Sequence, residues 1–315
     1  MRAGVSLALV VFILLKVDLS ALADALAGMD LLLFGASFLF AIPGYGISVV
    51  RWDLLLKAVE QPFSKAHLLA SYLVSSFFNL ILPFAVGGDV VRAWDTRGDG
   101  FGLTEAAGVV FADRITGLVG VVVILALGLM WVPEPVWRAL GPLGSPGSGF
   151  ALVAVAGLAG LAGLVLLWKK APGHGPLGAV KDKVARFSGV LLSLSRRPGP
   201  VVLSAGLGVL MQLNVLVYCW VLALALHLDM NLMAFFWFYP CWFLLMMLVP
   251  SIGGHGVREG GATLLLAPLI GMEQAIVMGT AMGLLYGAGQ LPGAILGWMV
   301  QVRRSLDSKG QGEPG

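Results

Sequence analysis

Six ionisable residues stand in surroundings too apolar to hold them cheaply: Asp89, Arg92, Asp113, Arg114, Arg258 and Glu259. A charge at the centre of a bilayer costs about 2.5–3.5 kcal/mol on insertion scales, so each needs a partner or a wet cavity. Three guanidinium groups and three carboxylates balance, which allows one mutually neutralised cluster. Arginine's planar fork holds a phosphate through two parallel charge-assisted bonds. Arg92, Arg258 and Arg114 are therefore candidate phosphate ligands; the bland alternative is a structural ion pair or an anchor at the membrane surface. Asp89 and Glu259 read first as counter-charges to Arg92 and Arg258. With Asp113 and His255 they are also the groups suited to proton coupling, histidine titrating nearest neutrality. Asp113 and Arg114 are adjacent, about 100° apart on a helix, so they should reach different neighbours, Arg114 toward Asp89.

Gly87, Gly88, Gly253 and Gly254 have no side chains, so their N–H groups could approach an anion. A plain turn between two half-helices explains them equally well. Asn79, Gln212, Asn214 and Gln290 lie in apolar runs and read more simply as interhelical hydrogen bonds than as ligands. There is no Ser/His/Asp set, no His pair at metal-ligand spacing and no G-x-x-x-x-G-K-[ST] loop. Cys219 and Cys241 form no C-x-x-C pair. The expectation is a protein with no catalytic residue, no metal and no cofactor.

The elements that position these residues follow from composition. Hydrophobic residues make up 58% of 315 and charged residues 12%, against about 45–50% and about 25% in soluble domains. The mean hydropathy of +0.92 agrees. The reading is an all-α, polytopic transmembrane helix bundle in a cell (cytoplasmic or inner) membrane. A cytosolic enzyme, a secreted disulfide scaffold and a disordered chain are excluded. The net charge of +3 gives no footprint for nucleic acid.

A spanning helix needs about 20 apolar residues. Apolar segments lie near 3–23, 31–50, 66–86, 104–132, 150–168, 200–226, 233–249, 262–272 and 275–301. The first, after Arg2, reads as an uncleaved helix rather than a signal peptide. The basic loop 169–199, the polar tail 303–315 and a loop marked by Arg51, Lys57 and Lys65 should be cytoplasmic. The 133–149 and 227–232 connections should face outward. These assignments agree if 66–86 and 233–272 each enter and return on one side, leaving six crossings with both termini inside. Residues 1–302 then form one integral membrane domain.

Residues 87–92 read Gly-Gly-Asp-Val-Val-Arg and residues 253–258 read Gly-Gly-His-Gly-Val-Arg. Both follow a proline, Pro83 or Pro250, and both precede a long helix opening near Glu105 or Glu273. With opposite predicted orientations, they suggest two inverted repeats, about 31–132 and about 200–301, each with a re-entrant or broken helix pair. A chance likeness of Gly-rich turns is the alternative.

The stretch from Leu82 to Ala93, the Asp113-Arg114-Ile115-Thr116-Gly117-Leu118 helix and the stretch from Pro250 to Gly260 resemble, in order, signatures of the lysylphosphatidylglycerol synthase transmembrane (flippase-like) family. The resemblance implies a lipid translocase that moves a phosphate-bearing polar lipid, such as an aminoacyl-phospholipid or a glycosyl-carrier lipid, across the cytoplasmic membrane. Its implied partners are anionic membrane lipids and a separately encoded lipid-biosynthesis enzyme. The 13 residues after Val302 are too few for a transferase domain. A membrane-embedded lipid-modifying transferase, with Asp89 and Glu259 as acid and base, and a scaffold of a lipid-synthesis complex remain the other readings.

Overall fold

The computed structural model describes residues 17–81, 87–98, 100–139, 176–248 and 254–310. Among them the chain is helical throughout and contains no strand. Expectations that fall on 3–16, 150–168 and Gly253 lie outside the described residues.

Two short helices come first, α1 (Leu19–Ala27) and α2 (Leu31–Ser37). Asp18 and Asp30 cap them, each carboxylate accepting two backbone N–H groups, which satisfies donors that a helix start leaves open. A single 3₁₀ turn joins α2 to α3 (Ala41–Ala58), giving a continuous apolar stretch of 28 residues. Next come α4 (Lys65–Ile81), α5 (Gly87–Asp95), α6 (Leu103–Gly128) and α7 (Glu134–Ala139). The second half holds α8 (Pro176–Ser195), α9 (Pro198–Ala225), α10 (Phe235–Leu248), α11 (Val257–Ile270), α12 (Met272–Ala288) and α13 (Leu291–Gly310).

Three stretches among the described residues are long and apolar enough to cross a membrane: Leu31–Ala58, Leu103–Trp131 and Pro198–Ala225. Helices of 28 or 29 residues run to about 42 Å, more than the roughly 30 Å hydrocarbon core. The chain is thus a membrane-type helix bundle. Helix α9 packs on both α3 and α6. A Cβ on Gly120 would lie 2.6 Å from the Gly208 carbonyl, so α6 and α9 meet backbone to backbone, the use membranes make of small residues.

Two expected segments change shape. The apolar run 275–301 is broken at Gly289–Gln290 into α12 and α13. Pro292 has no N–H for the Ala288 carbonyl, which loses its helical partner there. The expected loop 169–199 is helical from Pro176 to Ser195; Val190 and Leu194 are buried in the first-half core and draw it onto the bundle.

The two Gly-Gly motifs stand in comparable places, at the start of α5 in α4–α5–α6 and just before α11 in α10–α11–α12, but the helix lengths differ: 17, 9 and 26 residues against 14, 14 and 17. Two buried clusters are each built mainly from one half, with Ile124 and Val136 joining the second-half cluster and Val190 and Leu194 of α8 joining the first. One centres on Trp52, Leu55, Leu56 and Leu68, the other on Phe235, Trp237, Phe238 and Trp242.

Candidate functional site

Helix α3 supplies an arginine that sequence reading places in a loop. Ser48, Arg51, Trp52, Leu55 and Leu56 are all buried, at the i, i+3, i+4, i+7 spacing of one helix face. Arg51 is therefore a core residue, not a marker of a cytoplasmic loop. Its guanidinium lies 3.1 Å from Asp113 Oδ1 and donates to the Asp113 carbonyl at 2.5 Å and to Thr116 Oγ1 at 3.1 Å. It fits because position 117 is glycine: a Cβ there would lie 3.0 Å from its Nη2.

Arg92, on α5, reaches the other Asp113 oxygen at 2.8 Å. Tyr72, on α4, donates its hydroxyl to the same oxygen at 3.1 Å. The Arg92 guanidinium lies 4.3 Å from the Trp52 ring centre and 4.2 Å from that of Tyr72, two cation–π contacts that suit its weakly hydrated plane. Asp113 is thus shared by two arginines and offsets the charge of one. Asp113 and the Arg51 and Arg92 side chains are each under a tenth exposed.

The adjacent Arg114 turns elsewhere, as the helical angle requires. Its Nε donates to Asp89 Oδ2 at 2.5 Å. Asp89 is only 4.0 Å from Arg92, so its main partner is Arg114 rather than Arg92. The Arg114 side chain is 40% exposed, which sets it apart from the other two.

These five residues share a cavity of about 380 Å³. Its lining comes from α3, α4, α5 and α6 of the first half and from α9, α10 and α12 of the second, so it lies where the halves meet. Beyond the charges it carries Tyr45, Asn79, Gln212, Asn214, Tyr239 and Gln290. Gln212 is held by Tyr239 at 2.5 Å and donates to the Gly117 carbonyl at 3.2 Å; Asn214 donates to the Phe40 carbonyl at 3.0 Å. Three of the four carboxamides expected to join helices, Asn79, Gln212 and Asn214, bridge separate elements, and all four line the cavity.

Gly87 and Gly88 are buried, and neither lines the cavity. The Gly88 N–H is taken by Asn79 Oδ1 at 2.8 Å, and its carbonyl by Ser75 at 2.9 Å. A Cβ at Gly88 would lie 2.6 Å from Asn79. Gly88 thus lets α5 dock on α4, and its N–H is already taken.

The six charges expected as one set fall into two groups. Arg258 is bound locally, to Glu259 at 3.2 Å and to His255 Nδ1 at 3.1 Å. Glu259 also accepts the Gly256 N–H at 2.7 Å, and Trp242 donates to the Arg258 carbonyl at 2.7 Å. Gly279, Gly283 and Gly287 form a stripe on α12; a Cβ at Gly287 would lie 2.6 Å from Arg258 Nη2, and one at Gly283 would lie 2.9 Å from the Glu259 Cα. Gly254 and Gly256 have positive φ, 80° and 81°, which favours glycine in this turn. Arg258, Glu259, His255 and Gly254 are not among the cavity-lining residues. An aromatic chain leads toward them: Tyr218 and Tyr286, which line the cavity, are 5.6 Å apart, and Trp242 is 5.2 Å from Tyr286.

Among the described residues, no group of three His, Cys, Asp or Glu could hold a metal ion. A family model for the lysylphosphatidylglycerol synthase TM region matches residues 1–293. The chain belongs to this family. It is accordingly a membrane protein related to lipid modification or transport. A search of curated proteins found no match. The match spans every residue of the cavity and both buried arginine groups, and stops within α13.

Within this family member, Arg51, Trp52 and Tyr72 are the site residues that motif reading passes over, and Thr116 stands in a motif without a role assigned to it. The Arg51 signal was present: apolar residues flank it on both sides, and the helical period 48–51–52–55–56 turns it inward.

Proposed function

We propose that this chain is a lipid translocase that binds a phosphate-bearing headgroup in the cavity between its two halves and carries it across the cytoplasmic membrane. One observation carries the reading: a cavity of about 380 Å³, mostly apolar but with three arginines on its walls, is framed by the three helices of spanning length. Ligand sites commonly fall between 300 and 1,000 Å³, enough for a headgroup while acyl chains stay in lipid. A phosphate cannot enter hydrocarbon without compensation, and fixed guanidinium groups replace the water it leaves.

Arg51 and Arg92, locked on Asp113, set a permanent positive field. Arg114, more exposed, is the residue that grips and releases. In this reading the units α4–α5–α6 and α10–α11–α12 are inverted repeats, and rocking of one half against the other opens the cavity to each leaflet in turn. Both termini lie on the cytoplasmic side. The chain makes and breaks no covalent bond, and a separate biosynthetic enzyme supplies the lipid.

Liposomes containing the purified protein and a headgroup-labelled phospholipid test this. Translocation exposes inner-leaflet label to a membrane-impermeant quencher. Arg114→Gln should slow that exposure about tenfold or more, equivalent to roughly 1.4 kcal/mol of lost headgroup interaction. Label movement no faster than in protein-free liposomes would refute the reading. Chemical conversion of the lipid would favour the transferase instead.

A further inference from the structure

We infer that the cavity selects lipids by headgroup charge: it takes a phosphodiester with one net negative charge and an uncharged, hydroxyl-bearing remainder, and it discriminates against headgroups that add an ammonium. This rests on the binding role proposed above and names the substrate class of that site.

The ionisable lining with unambiguous charge is Arg51, Arg92, Arg114, Asp89 and Asp113. Among the described residues guanidinium groups outnumber carboxylates by one in this lining, and no Lys, Glu or His joins them. The stretches 82–86 and 249–253 contain no ionisable side chain, so the joins beside α5 and α11 do not alter the balance. One monoanionic phosphodiester brings the cavity to neutrality.

An ammonium finds no equivalent host. Asp113 has Arg92 and Tyr72 on one oxygen and Arg51 3.1 Å from the other. Asp89 is held by Arg114 and faces Arg92 at 4.0 Å. An ammonium placed against either carboxylate meets a guanidinium at the same time, and repulsion is strong where water is scarce. The lining also carries aromatic rings, Phe38, Phe40, Phe243 and several tyrosines, whose faces attract a cation far more weakly than an unshared carboxylate would. The uncharged polar lining suits hydroxyls instead. Tyr45 and Tyr239 offer phenol groups, and Gln212, Asn214 and Gln290 offer carboxamides. A glycerol or sugar headgroup presents matching donors and acceptors.

The test is competitive binding to the full-length protein in nanodiscs, alongside translocation in liposomes. The probes are phosphatidylglycerol, its lysyl ester and phosphatidylethanolamine. Phosphatidylglycerol should bind about tenfold or more tighter than the lysyl ester, with phosphatidylethanolamine between them. Equal or tighter binding of the lysyl ester would overturn the inference. Arg114→Gln removes the excess charge and should bring the two affinities within about twofold. Asp89→Asn raises the excess and should widen the gap; a gap that narrows in Asp89→Asn overturns the inference even if Arg114→Gln does not fold. Selective binding of phosphatidylglycerol without translocation would sink the transport reading and leave charge selection standing.

Discussion

The two buried arginine elbows start from nearly the same sequence and end in different electrostatic states. At the first, Arg92 finds its counter-charge on another helix, and that carboxylate also serves Arg51 from a third. Three elements are tied together and a net positive charge is left on a cavity wall. At the second, Arg258 pairs with the next residue in the chain and with a histidine three positions before it. Charge is settled within one turn, and the group stays outside the cavity lining. Trp52 stacks on the first guanidinium, while Trp242 bonds to the backbone of the second. The lesson is that a repeated motif repeats a fold device; where the counter-charge comes from decides whether an elbow is also a binding surface.

The largest expected effect comes from breaking the shared counter-ion. Asp113→Asn leaves two buried guanidinium groups facing a neutral amide and should cost about 3–5 kcal/mol. Thermal unfolding in detergent checks this, and a melting point unchanged from wild type would remove Asp113 from the centre of the first elbow. Next comes the packing that seats the second elbow. Gly287→Leu drives a side chain into Arg258, and overpacking of this kind costs about 1–3 kcal/mol. The same melting experiment should show that loss, while headgroup binding by the folded fraction changes little.

A smaller stability effect, with a large functional one, separates the elbows. Arg114 is 40% exposed, so Arg114→Gln should change stability by about 1 kcal/mol or less, yet impair headgroup binding. The smallest effect should come from Arg304→Ala. It breaks a 2.7 Å ion pair between α13 and Asp95 at the end of α5, with the arginine one-third exposed. A loss within about 1 kcal/mol is expected; a larger loss would mean that α13 clamps the first elbow.

Much of this was legible in the residues. The three long spans stand out because nothing but lipid tolerates such runs. Arg114 and Asp113 were expected to diverge, and they do, toward Asp89 and toward Arg51 and Arg92. Glu259 was read as the partner of Arg258, and it is. Asp89 was assigned first to Arg92 and belongs mainly to Arg114, because pairing follows the crossing of α5 and α6 rather than distance along the chain. Arg51 was missed because positive residues near a segment end read as anchors; only its helical phase marks it as internal. The α12–α13 break was hidden by an apolar run that hydropathy does not resolve, although Pro292 carries the reason. A close backbone approach at the Gly87-Gly88 turn is legible, but the group that takes the Gly88 N–H is Asn79 on α4.

Side-by-side headgroup-accessibility measurements on Arg114→Gln and Arg258→Gln, each corrected for its folded fraction, test the central claim most directly. The account predicts that Arg114→Gln abolishes most protein-dependent movement of an anionic phospholipid, while folded Arg258→Gln keeps it. Equal loss in both variants, or a loss confined to Arg258→Gln, would contradict it.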